Sequence, residues 1–276
     1  MRRLFLPILT YPTPTPVVPL RRALDLAATL DAAVHCAVVE IDIPPVSNPP
    51  FPIGIDVVAM AAEAETVSRR RAAELTAQIE NDARHVGVAL DSTRYRSRLE
   101  FVGGMLAGAA RTYDATMLCL ADDGEHRNVA ETLMFQSGGP VVLLPAVDVP
   151  VHLETVAIAW DGSRAAARAV HDALPLLAKA EQAVVLTVES DKAIDPFSID
   201  GVLRLLAAHG IKCSHAEVFM KAPQSVGDAL QSAALEKDAG LLVMGAYGHN
   251  RLREFVLGGA TRSILAGQRL PILTAH

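Results

Sequence analysis

Short apolar runs and longer stretches with an apolar residue every three or four positions take turns along this chain. Runs of the first kind, read as strands, fall at residues 4–9, 34–41, 88–97, 115–122 and 140–145, then at 155–160, 183–188, 211–219, 240–246 and 271–275. Stretches of the second kind, read as helices, fall at 16–30, 56–85, 101–113 and briefly after 122, then at 163–178, 198–209, 223–237 and 259–267. The proline-rich DIPPVSNPPFPIG breaks both periods, and AVDVPVH near the middle does the same.

The second set of elements repeats the order of the first. YDATMLCLAD (113–122) aligns on KDAGLLVMGA (237–246), and VVLLPA near the end of one half answers PILTAH at the end of the other. We therefore expect two α/β domains, 1–148 and 149–276, each a five-stranded, mostly parallel, Rossmann-like or flavodoxin-like sheet with helices on both faces. Sheets of this kind bind ligands beyond the carboxyl ends of their strands, where the strand order reverses.

Composition narrows the function. Of 276 residues, 51% are hydrophobic but only 4% aromatic, so the core is built from Ala, Val, Leu and Ile. A net charge of -6 argues against nucleic acid or an anionic membrane as the main partner. The apolar start is interrupted by Pro7 and a proline ladder, which reads as a first strand and not as a signal peptide, and no run is long enough to span a membrane. Cys36, Cys119 and Cys213 are far apart with no C-x-x-C pair, which suits a reducing cytoplasm.

The densest chemistry lies in MGAYGHNRLREFVLGGATRSIL (244–265). Gly245 ends a strand, Gly248 sits in the loop after it, and Gly258 and Gly259 open the last helix. A helix start offers unpaired N–H groups and the positive end of its dipole, and glycine lets an anion approach that backbone. His249, Asn250, Arg251 and Arg253 fill the loop, and Thr261 and Ser263 follow in the helix. The residues alone point to an anion site in the second half, with ordinary turn glycines as the alternative.

The spacing Gly245-x2-Gly248-x9-Gly258 resembles the nucleotide-binding signature of the universal stress protein family, and VAIAWDGSRAAARAV resembles that family's first strand and helix. The resemblance covers the chain as a tandem pair. It implies that Asp161 contacts adenosine, that the backbone of Val188 meets adenine, and that Gly245, Gly248, Gly258 and Gly259 hold ribose and phosphates. His249, Arg251, Ala260 and Thr261 join the expected site. The family's hydroxyl after the third glycine is here Gly259, leaving Thr261 as its substitute and ATP, ADP or AMP as the expected ligand. Magnesium is compatible with the nucleotide but not required by the sequence.

The first half departs from the signature, with no acidic match to Asp161, Ala121 where Gly245 would stand, and a shorter segment from Gly124 to Pro140 than from Gly248 to Pro271. It is expected to bind no nucleotide by this route and to serve as scaffold and partner surface. The implied function is a nucleotide-occupied switch or scaffold in stress response, the halves forming an intramolecular pseudo-dimer, with a homodimer as a further assembly. Two alternatives stay open: a slow nucleotide hydrolase or transferase using His249, for which no catalytic partner is readable, and a nucleotide-free interaction protein. His209, Cys213 and His215 read as packing and surface residues, not a metal centre, and Arg69 to Arg71 as a solvated helix face. No P-loop or dinucleotide fingerprint is present.

Overall fold

A computed structural model describes residues 2–47, 56–188, 194–220, 223–246, 264–265 and 267–276. The first half runs β1 (Arg3–Leu9), α1 (Val17–Thr29), β2 (Ala33–Ile41), α2 (Val57–Val86), β3 (Leu90–Ser97), α3 (Val102–Ala110), β4 (Ala115–Cys119), α4 (Gly124–Gln136) and β5 (Val141–Leu144). The second runs β6 (Thr155–Ala159), α5 (Arg164–Leu177), β7 (Gln182–Val188), α6 (Pro196–Ala208), β8 (Cys213–Val218), α7 (Val226–Glu236), β9 (Leu241–Gly245) and β10 (Ile272–Ala275). Of the expected helix at 259–267, only Ile264, Leu265 and Gly267 lie among the described residues.

The ten strands among the described residues form one sheet, in the order β3-β2-β1-β4-β5-β10-β9-β6-β7-β8. Among the described residues the strand pairings within each half are parallel, and both halves share one order, the first strand lying between the second and the fourth. The halves join by the antiparallel pair β5–β10, with Leu273 opposite Val142. The carboxyl ends of their strands therefore point in opposite directions.

Helices cover both faces. On one, α1 and α2 continue into α5 and α6 over a core that runs through both halves, from Leu24 and Ile79 to Val170 and Leu206. On the other, α3 and α4 cover Phe5, Leu118 and Leu143, and α7 covers Val184, Leu242 and Ile272. Ala246 and Leu265 of the second half pack into the α3–α4 cluster. Ion pairs Arg22–Asp148 (2.8 Å) and Lys179–Asp31 (3.0 Å) tie α1 to the connector and to the end of α5.

Pro7 inside a central strand needs an account, because proline cannot donate to a ladder. The carbonyl of Arg3 accepts from Asp114 N–H, so the odd residues of β1 face β4. The β1–β4 ladder stops at Phe5 opposite Thr116, just before Pro7. Beyond it, Leu9 exchanges hydrogen bonds with Thr15 instead of with β4.

Candidate functional site

Strand order reverses twice, between β1 and β4 in the first half and between β6 and β9 in the second. The crevice at such a reversal is where a doubly wound sheet receives a ligand. Of the expected site residues, Asp161, Val188 and Gly245 are described, and all three stand at carboxyl ends around the second reversal: Asp161 just past β6, Val188 last in β7, Gly245 last in β9. Gly248, His249, Arg251, Gly258, Gly259, Ala260 and Thr261 lie outside the described residues.

The turn that carries Asp161 is built by its own side chains. Asp161 Oδ1 accepts the Ser163 N–H at 2.9 Å, Gly162 takes a φ of 72°, and Ser163 caps α5 by accepting the Ala166 N–H at 3.1 Å. Glycine is the residue suited to that left-handed φ, and serine is a preferred cap. The Asp161 carboxylate is exposed, beside the positive end of the α5 dipole.

Gly245 meets this turn from the other side. A Cβ placed on it would lie 2.5 Å from both the Ala165 carbonyl carbon and the Ala166 nitrogen. The glycine thus lets β9 come against the first turn of α5. Close packing on α5 is one reason for a glycine at this position.

Two residues that sequence reading leaves out of the site, Trp160 and Ser198, also meet here. Trp160 continues the β6–β7 ladder by one residue, its N–H donating to Leu186 carbonyl at 2.9 Å. Its indole Nε1–H donates to Ser198 Oγ at 3.1 Å. Ser198 lies in the first turn of α6, whose cap is Asp195. The same Ser198 Oγ would stand 3.2 Å from a Cβ on Gly162. A single tryptophan next to the expected acidic contact was the available signal, and contact with a helix some forty positions on was not readable from it.

The first reversal is filled differently. Thr15 occupies the backbone of Leu9, and the Arg71 guanidinium donates to the carbonyls of Thr10 (3.0 Å) and Pro12 (2.8 Å), drawing loop 10–16 over the strand ends. What remains is a cleft of about 10 Å³ between Thr10, Tyr11, Val39, Ile41 and Glu125, room for about one water. The start of α4, which follows β4, carries Asp122, Asp123 and Glu125. Burial works to raise the Asp123 carboxyl, but the backbone and ring N–H groups of His126 and the Thr13 hydroxyl outweigh it and hold it below the ordinary aspartate range. Burial, and then the charge of Asp123, push Glu125 up. A helix start capped by its own carboxylates repels an added anion.

His209 caps the end of α6, Cys213 Sγ donates to the Leu203 carbonyl, and His215 shares a hydrogen bond with Thr187. They form no centre, and no group of three or more His, Cys, Asp or Glu that could hold a metal occurs among the described residues. No helix among those residues is long and apolar enough to cross a membrane.

No protein-family model and no curated protein matches the sequence. Solved structures do match the fold. A universal stress protein from Archaeoglobus fulgidus superposes with a TM-score of 0.71 at 16% identity, over 99% of this chain and 95% of that one. A functionally unknown protein from Pseudomonas aeruginosa PAO1 gives 0.60 at 13%, over 100% and 92%. This chain accordingly shares the fold of that universal stress protein over nearly its whole length, with two α/β halves of one topology joined through their last strands into a single sheet.

Proposed function

We propose that the second half binds an adenine nucleotide, ATP, ADP or AMP, and that the chain is a cytoplasmic regulatory or scaffold member of the universal stress protein family. The observation that carries this reading is the convergence of Asp161, Val188 and Gly245 on the reversal between β6 and β9, in a chain whose next residues follow the glycine signature. Asp161 beside a capped helix start suits a ribose or base polar group. The N–H-rich glycines, with His249, Arg251, Ala260 and Thr261 among them, suit phosphates.

The first half is the scaffold in this reading. Its crevice is filled by loop 10–16, and its last helix starts among carboxylates, so phosphate has neither the room nor the charge it needs.

The test is the nucleotide released when purified protein is denatured and the supernatant is run on an ion-exchange column, with Gly248→Val alongside. Wild type is expected to release ATP, ADP or AMP, and the folded variant none. ATP added to nucleotide-free protein at a hundred times its Kd adds about 2.7 kcal/mol of stability, a rise in Tm of several degrees. Protein that releases nothing and melts at the same temperature with added ATP would refute the proposal.

A further inference from the structure

Three separate elements meet at one hydroxyl. The end of β6 reaches Ser198 through the Trp160 indole N–H, the Asp161–Gly162 turn lies against it through Gly162, and α6 contributes Ser198 itself. By strand alternation Trp160 follows Val156 and Ile158 onto the α5–α6 face, and its ring packs against their core. Its indole is therefore held at both ends, by apolar contact at the base and by Ser198 at the nitrogen.

The geometry points to a latch: Trp160 and Ser198 fix the first turn of α6 against Gly162 and so hold the Asp161 turn in the shape that presents its carboxylate. They are positioning residues for the second-half site, and their effect on ligand binding rests on the nucleotide proposal above. Local order explains why a latch is needed. Asp161 and Gly162 are both exposed, and the bonds within the turn are Asp161 to Ser163 and Ser163 to Ala166. A short exposed turn with a left-handed glycine exchanges among conformations unless something outside it holds it. Among the described residues Ser198 is the polar side chain that meets the turn at Gly162, and the packed indole is what keeps Ser198 in place.

The test uses the full chain with Ser198→Ala, Trp160→Phe and the two combined. Trp160→Phe keeps an aromatic ring and removes only the N–H donor and part of the volume. Ser198→Ala keeps a residue that suits a helix. Circular dichroism and melting first establish that each variant folds. Two readouts follow: hydrogen exchange of the Gly162 and Ser163 amides without nucleotide, and the Kd for ATP. In Ser198→Ala the emission of Trp160, the chain's single tryptophan, gives a third.

Each single variant is expected to speed exchange at the turn about tenfold and to weaken ATP about five- to tenfold. The combined variant should be no worse than the weaker single, because both break one bond. Unchanged exchange in both singles overturns the latch, whatever the ATP result. Faster exchange with unchanged ATP affinity overturns the positioning role. Wild type that binds no ATP overturns the nucleotide proposal alone, and the exchange data still decide whether the latch holds the turn.

Discussion

One substitution has opposite consequences at two glycines of this chain, and the difference lies in what surrounds them. A methyl on Gly245 runs into the backbone of Ala165 and Ala166, which cannot move aside without shifting α5. A methyl on Gly104, in α3, meets nothing within 4 Å. Gly245→Ala is expected to cost about 1–3 kcal/mol through overpacking. Gly104→Ala is expected to gain about 0.5–1 kcal/mol by restricting the unfolded chain in a helix. Urea midpoints at constant slope check both, and equal effects at the two sites would show that crowding at Gly245 is relieved at no cost. Sequence marks both residues as glycine and cannot separate them, because close approach is a property of the pair β9 and α5, which lie some eighty residues apart.

At the scale of elements, helix α4 shows what a helix start does when its own acids cap it. Asp123 accepts the backbone N–H of His126 at 2.8 Å, and the ring Nδ1–H of the same residue donates to the carboxylate at 3.0 Å. His126 is fully buried and its Nε2 has no partner among the described residues. Burial drives its pKa below the ordinary 6.5, against the pull of Asp123. A histidine held neutral by the fold binds its proton later than the unfolded chain does. Stability is therefore complete above 6.5 and falls as pH drops from there toward the folded value. Urea unfolding at about pH 7.5 and about pH 5.5 should show wild type losing stability, and His126→Gln losing less of it, since glutamine keeps a donor for Asp123 without the titration. Equal losses would place the acid sensitivity elsewhere. The strand and helix order was legible because each apolar run is bounded by prolines, glycines or caps. The start of α6 at Pro196, two residues earlier than its pattern suggests, was not, because Asp195 and Pro196 form a cap whose first turn carries the exposed Phe197. The placement of Asp161, Val188 and Gly245 at or just past the carboxyl ends of strands was legible, because each closes an apolar run. Trp160 and Ser198 escaped because their bond joins β6 to α6 across thirty-eight residues.

For the whole molecule, the decisive contact is the shortest. Strand β5 is Val141–Leu144, four apolar residues, every one buried, and it has β4 on one side and β10 on the other. The outer edges of the sheet look quite different. Strand β3 carries Asp91, Arg94 and Arg96, and β8 carries His215 and Glu217, charges and polar groups of the kind that discourage further pairing. The chain thus protects the edges that stay open and leaves bare the edge that its second half covers. Residues 1–148 made alone would uncover β5, with its unpaired backbone groups and the apolar side chains that β10 covers in the whole chain. Because β10 pairs antiparallel to β5, a second copy of β5 can take its place about a two-fold axis. We therefore expect the isolated first half to be a dimer by light scattering, and a charge at the centre of the strand, Val142→Lys, to make it monomeric or unfolded. A stable monomer of unaltered 1–148 would mean that the first half closes its own edge, and that the single sheet is an association of two finished units and not the condition for their folding.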